Sequence, residues 1–333
     1  MKKYVAYGIG AALVDTEVKV SDEDLARMDV DKGMMTLVDE ARQAQLLSHL
    51  EGHLIKASHA SGGSAGNSMI ATAQFGGPTF MSCKVAADRD GDIYLADLEA
   101  AGVDHCLNGR RATGTTGKCL VLITADAERS MNTYLGVSET LSVAELDADA
   151  IAASEYVYIE GYLVTSPTGL EAAVRTREIA EAARVKTALS FSDPGMVEFF
   201  REGMASIVGK GVDLVFCNEA EALQWGETDS LQVAIEKLKR IARSFVITLG
   251  ANGAITYDGS EQASIPPHRV QAVDSNGAGD MFAGAFLYAI TRGEDFPTAG
   301  RFASLAAGRI VANYGPRLPA ADYPALRAEF FGD

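Results

Sequence analysis

From about residue 151 onward, short apolar runs alternate with longer stretches whose apolar positions recur at helical spacing. Runs 156–159, 187–191, 213–217 and 245–250 read as buried strands, 167–184 and 231–243 as helices, and 253–270 as a hairpin. Apolar strands separated by amphipathic helices predict a mostly parallel, doubly wound α/β sheet flanked by helices. The first half repeats the theme less regularly. Residues 4–9 read as a strand, 39–50 as a helix, 83–87 as a strand, and 92–101 as a helix after the turn 88–91. Polar and apolar positions alternate over 17–20, and a β-rich passage from 102 contains the strand 119–124 and a hairpin tip at 126–130.

Composition changes this picture little. The 333 residues are 47% hydrophobic and 22% charged, enough for one large domain with at most a small appendage. The net charge of −16 sets the chain as a whole against nucleic-acid backbones and anionic membranes, so any bound phosphate must be held locally. Cys83, Cys106, Cys119 and Cys217 show no CxxC pair or metal-ligand spacing, as expected of free thiols in a reducing cytoplasm. The N-terminal apolar run is too short for a signal sequence and no membrane-length span follows, which predicts a soluble, unexported protein.

The chemistry concentrates in Asp274-Ser275-Asn276-Gly277-Ala278-Gly279-Asp280, which runs into the apolar, small-residue stretch 281–286. The pattern is that of a loop ending at a helix N-terminus. Glycines there let N–H groups face an anion, and the helix dipole adds attraction. A carboxylate in such a cradle repels phosphate unless it has a task, and the task that fits Asp280 is taking a proton from a hydroxyl that attacks phosphorus. The plainer alternative is a helix-terminal carboxylate stabilising by roughly 0.3–1 kcal/mol. Ser61-Gly62-Gly63 and Asn67 open a second small-residue helix, where an amide can donate to and accept from vicinal hydroxyls or merely serve close packing. Asp15 follows the first strand, at the end where open α/β sheets bind ligands, or is a turn residue. Asn218 to Glu221 follows another strand. Its carboxylates could order Mg²⁺ or its waters, and Asn218 could simply cap a helix.

Other patterns fail. Gly8-Ile9-Gly10 has Leu13 where a dinucleotide fingerprint needs glycine. Gly117-Lys118 lacks the remaining residues of a Walker A loop. His49 and His53 stand four apart but lack a third ligand, and Gly52 weakens the helix between them.

Taken together, Gly62-Gly63 with Asn67 and Gly76, then the 274–280 run, resemble the ribokinase-like family of carbohydrate and nucleoside kinases, also called the phosphofructokinase B family. The resemblance extends over essentially the whole chain. Segments 127–131, 158–162 and 217–222 are similar to those of its adenosine kinases. The resemblance implies one kinase domain over 1–333, with a small β lid from about 12–38 and 108–136. It implies Asp280 as base, Gly277, Ala278 and Gly279 as anion hole, and Arg129 on the transferring phosphate. Asp15, Gly63 and Asn67 would hold ribose hydroxyls, while Asn218, Thr248, Gly250 and Gly253 would line the nucleotide. Glu221 would order Mg²⁺ through water, and a monovalent cation, K⁺, would sit near Asp274 and Gly315. Met34-Met35 stands where an amide side chain is expected near the purine. The expected reaction is transfer of the γ-phosphoryl of MgATP to the 5′-hydroxyl of a nucleoside, adenosine giving AMP, by a cytoplasmic monomer or homodimer with no nucleic-acid or membrane partner. A sugar kinase of the same family and an inactive ligand-sensing protein are the alternatives.

Overall fold

The computed structural model describes residues 2–50, 60–107, 111–126 and 128–332. Among the described residues fourteen strands form two sheets. In chain order they are β1 (Tyr4–Ile9), β2 (Leu13–Lys19), β3 (Met35–Leu37), β4 (Ala60–Gly62), β5 (Thr79–Ser82), β6 (Val103–His105) and β7 (Gly117–Ile123). There follow β8 (Arg129–Tyr134), β9 (Ser154–Glu160), β10 (Lys186–Ser190), β11 (Val212–Asn218), β12 (Ala242–Thr248), β13 (Ala254–Tyr257) and β14 (Gln262–Ile265).

The large sheet has the order β14-β13-β12-β11-β10-β9-β1-β5-β6. Every pair from β12 to β6 is parallel, and β13 and β14 form the antiparallel hairpin expected after residue 253. The strand period of two divides its side chains between two cores. Tyr156, Tyr158, Leu214 and Phe216 face the helices Ser64–Gln74, Ala278–Thr291 and Phe296–Val311. Val157, Ile159, Val215 and Cys217 face the opposite layer, which includes Pro167–Ala182. The expected α/β class and doubly wound sheet are thus observed, with a second, five-stranded sheet ordered β3-β8-β7-β2-β4.

Two expected elements differ. The strand read at 83–87 lies at Thr79–Ser82. Cys83, Val85 and Ala86 are fully buried but contribute only an isolated bridge from Ala86 to Ala112, so apolarity there reports burial and not pairing. The helix read over 231–243 ends at Leu238, because Ile241 and Ala242, apolar in either period, lead into β12. Helix starts follow their caps: Asp39, Asp88, Ser166 and Asn218 each accept a hydrogen bond from the first turn of the helix they open.

The helices Ser64–Gln74 and Ala278–Thr291 lie against each other on one face of the large sheet. Small residues bring them close: a Cβ at Gly284 would lie 2.5 Å from the Ser68 carbonyl oxygen and 2.7 Å from Ala71 Cβ. Thr72 Oγ1 bonds the Gly284 carbonyl at 3.0 Å across the contact. Gly284→Val is expected to cost about 1–3 kcal/mol through overpacking, measured by urea unfolding, while Gly203→Ala, whose added methyl would meet Val164 at an ordinary 3.4 Å, should not show that loss.

Candidate active site

The carboxyl ends of the parallel strands and the inner face of the small sheet enclose a cavity of about 520 Å³. Such a crevice is where open α/β sheets bind ligands. Of the residues singled out in the sequence, it is lined by Asp15, Gly63, Asn67, Arg129, Asn218, Glu221, Thr248, Gly277, Ala278, Gly279 and Asp280. Gly250, Gly253, Asp274 and Gly315 are not among its lining residues. Gly250 and Gly253 shape the turn between β12 and β13, where Leu249 N–H bonds the Gly253 carbonyl.

Asp280 lies in the first turn of the helix Ala278–Thr291. Its Oδ1 accepts from Ser64 Oγ at 2.6 Å and its Oδ2 from Asn67 Nδ2 at 3.0 Å. Both donors come from the helix Ser64–Gln74, so the two helix N-termini meet at one carboxylate. Burial pushes the Asp280 pKa above the usual carboxylate range, while these two hydrogen bonds and the Arg129 charge pull it down. Asn67 Oδ1 is buried and has no partner among the described residues, an acceptor left over for a ligand hydroxyl.

The helix start at Asp280 is a donor site. Gly277 sits at φ 70° with no side-chain cap, and a Cβ there would lie 2.4 Å from the Pro316 carbonyl oxygen, so only glycine makes this turn. Ala278 N–H turns back to the Ser275 carbonyl at 3.3 Å. The N–H groups of Gly279 and Asp280 find no acceptor among the described residues. Together with the helix dipole they form an anion cradle. The loop before it is pinned by Asp274, which is 0% exposed and accepts from Asn276 N at 2.9 Å and Gly315 N at 3.0 Å. Arg129, from β8 of the small sheet, donates from Nε to Ser275 Oγ at 3.2 Å and from Nη1 to Asn276 Oδ1 at 2.8 Å.

The rest of the cavity is divided by chemistry. Asp15, projecting from β2, is buried beside Glu17, and its pKa rises to about 7 through burial first and that neighbouring carboxylate second. Glu221 is drawn into a capping box with Asn218, accepting from its backbone N–H at 3.0 Å and its Nδ2 at 2.7 Å. Burial lifts Glu221 to about 8. The small sheet contributes an apolar ceiling of Leu13, Met35, Leu37, Val121 and Met131, with Cys119 beside it. Met35 therefore faces the cavity, whereas Met34 is half exposed and absent from its lining.

Several site residues escaped the sequence reading. Ser64 holds Asp280, and Glu160 accepts from Ala65 N at 2.8 Å and Ala11 N at 3.2 Å, tying the helix start to the connection between the sheets. Asp193 lines the cavity near Glu221. Ser64 could have been found from its place three residues before Asn67. Glu160 stands at the end of an apolar strand, the position already used to select Asn218. His49 lies on an exposed helix end, and His53, with Gly52 and Ala127, falls outside the described residues. Among the described residues no group of three or more His, Cys, Asp or Glu is placed to hold a metal, all four cysteines are free, and no helix is long and apolar enough to cross a membrane.

Comparison with known proteins gives this geometry a family. Residues 35–322 match the family model described as pfkB family carbohydrate kinase. Adenosine kinase of Sinorhizobium meliloti superposes with a TM-score of 0.93 at 34% identity, covering 98% of this chain and 99% of that one. A probable sugar kinase of Rhizobium etli superposes equally well, TM-score 0.93 at 33% identity, over 100% and 99%. Adenosine kinase of Saccharomyces cerevisiae is 28% identical over 336 residues, 93% of this chain and 96% of the relative. The chain belongs to the pfkB family of carbohydrate kinases and is a phosphotransferase with an alcohol group as acceptor.

The raised carboxyl pKa values have a measurable consequence. A folded state that keeps a proton the unfolded state has lost becomes less stable as pH rises between the two values. For Asp15 that interval runs from 3.8 to about 7. Urea unfolding across it should show stability falling with pH, and Asp15→Asn should remove a slope of at most about 1.4 kcal/mol per pH unit.

Proposed function

We propose that the protein transfers the γ-phosphoryl group of MgATP to the 5′-hydroxyl of a nucleoside, adenosine giving AMP, with Asp280 as general base. The observation that carries this reading is the Asp280 carboxylate, held by Ser64 and Asn67 at an open helix N-terminus, facing the same cavity as Arg129. The acceptor hydroxyl sits against Asp280. As its oxygen bonds to the γ-phosphorus its proton passes to the carboxylate, and the bond from that phosphorus to the β–γ bridging oxygen breaks, leaving ADP. Negative charge spreading over the transferred group is met by the N–H donors of the 277–280 turn and by the Arg129 guanidinium. Asp15, the Gly63 backbone and the unpartnered Oδ1 of Asn67 hold the ribose hydroxyls. The apolar ceiling from Leu13 to Met131 suits a flat base better than a free sugar, which supports the nucleoside over the sugar reading.

The nucleotide lies on the opposite side of Asp280, against Asn218 and Thr248, with the 250–253 turn beyond them. Glu221 and Asp193 are hard oxygen donors at the cavity wall, and one or two carboxylates with substrate phosphates are what Mg²⁺ requires, so these residues fit the ion through intervening water. Bound there, Mg²⁺ would neutralise phosphate charge. A buried carboxylate held, among the described residues, by two backbone N–H groups likewise suits a monovalent cation near Asp274 and Gly315. In this reading the small sheet, built from parts of 12–38 and 108–136 with β4, is the lid over the acceptor.

ATP consumption with Mg²⁺ and K⁺ should be followed for adenosine, inosine, guanosine, ribose and fructose. Turnover is expected with adenosine, and Asp280→Asn is expected to lower it by about 10²–10⁴ without loss of fold by circular dichroism. Exchange of K⁺ for tetramethylammonium should also reduce it. Turnover confined to a free sugar would sink the nucleoside assignment, and none with any acceptor would return the binding-protein alternative.

A further inference from the structure

Strand β2 runs across the site from the large sheet toward the 274–276 loop, and its alternate residues form a series. Leu13 and Asp15 line the cavity, Glu17 comes next, and Lys19 Nζ reaches the Tyr314 hydroxyl and lies 4.1 Å from the centre of its ring. Glu17 is 8% exposed and is not part of the cavity lining. Its Oε1 accepts from Asn276 Nδ2 at 3.0 Å. The other end of that amide, Oδ1, accepts from Arg129 Nη1 at 2.8 Å, and Arg129 Nε bonds Ser275 Oγ at 3.2 Å.

The chain of bonds has a direction. An ionised carboxylate only accepts and a guanidinium only donates, so the amide between them must present N–H to Glu17 and C=O to Arg129. Turned over, it would set donor against donor and acceptor against acceptor. Glu17 and Arg129 demand the same orientation of Asn276, and Glu17 anchors the far end of the amide on which Arg129 rests. The intervening amide also keeps the two charges apart. Among the described residues Arg129 has no ion pair, so its charge stays available to a phosphate, whereas direct contact with Glu17 would have satisfied it in advance.

We propose that Glu17 is a positioning residue for phosphoryl transfer: through the Asn276 amide it sets Arg129 and the Ser275–Asn276 turn in their working arrangement without touching either substrate. This rests on the kinase reading above for its purpose, but the bridge itself exists in the free protein and can be tested there.

Two measurements decide it. In steady-state assays with adenosine, Glu17→Ala is expected to lower kcat about ten-fold with KM changed less than about two-fold, because the residue acts on a group met late in the reaction. Glu17→Gln retains an acceptor oxygen and should recover most of that loss. In an Arg129→Ala background Glu17→Ala should cost almost nothing further, since its effect passes through the arginine. An equal loss in both backgrounds, or a raised KM with unchanged kcat, would overturn the proposal. Hydrogen exchange on the unliganded protein supplies a readout free of any substrate. The Asn276 and Gly277 amides should exchange faster in Glu17→Ala, with the interior of the helix Ser64–Gln74 unchanged. Unchanged exchange at 276–277 would overturn the bridge even if every acceptor failed. Faster exchange in a protein inactive toward every acceptor would instead uphold the bridge and place the failure in the kinase reading.

Discussion

The site depends on one contact: a carboxylate shared between two helix starts. Asp280 belongs to one helix by sequence and to the other by hydrogen bonding, and its two donors stand three residues apart on a single turn. A half-buried carboxylate beside an anion cradle is unfavourable in isolation. Ser64 and Asn67 offset that cost by bonding the ionised form, against a burial that raises its pKa. The arrangement exists only because the helices approach closely, and the small residues at their contact permit this. Packing at Gly284 and chemistry at Asp280 are two ends of the same constraint, separated by one turn of helix.

Electrostatics sharpen this picture. Among the described residues that line the cavity, Arg129 is the one cation, set against Asp15, Glu128, Glu160, Asp193, Glu221 and Asp280. With a chain charge of −16, long-range attraction cannot bring an anion here. Any anion held here would have to be met at short range, and the donors the cavity offers are the unbonded amides at 279 and 280 and the Arg129 guanidinium. Several of the carboxyls are also shifted, by burial first: Asp15 and Glu160 are pushed up to about 7 and Glu221 to about 8. A site of this kind admits an uncharged hydroxyl compound more readily than a second anion.

Much of this was legible in the amino-acid order. The alternation of apolar runs and amphipathic stretches after residue 151 announced the parallel sheet, and the 274–280 run announced the loop, the helix start and the exposed donors. These features are local, so a single stretch carries them. What the order of residues did not reveal was pairing across distance. Ser64 and Asp280 are separated by 216 positions, Glu17 and Asn276 by 259, and neither partner carries a mark of the other. Glu17 read as one half of a polar–apolar alternation, which it is, and the same period that placed Asp15 in the cavity also aims Glu17 at the loop. Glu221 illustrates the opposite case. Capping and metal ordering were equally open from Asn218 to Glu221; the capping bonds are formed, and they leave Glu221 in the cavity wall, so one reading does not displace the other.

The small sheet is threaded in two visits. The chain leaves the large sheet after Ile9, builds β2, β3 and β4, and returns at Ser64; it leaves again after His105, builds β7 and β8, and returns beyond Tyr134. The strands of the second visit lie between those of the first, in the order β3-β8-β7-β2-β4. On the ribosome β2 and β3 therefore emerge well before the strands that separate them, and until then β2 can pair with β4 alone and β3 has no correct neighbour. Assembly of the cover over the cavity must wait for residues near 134, and parallel pairing across such separations is intrinsically slow. A nascent chain halted before that point would hold part of the large sheet beneath an open, unsealed basin, with unpaired edges available to other chains.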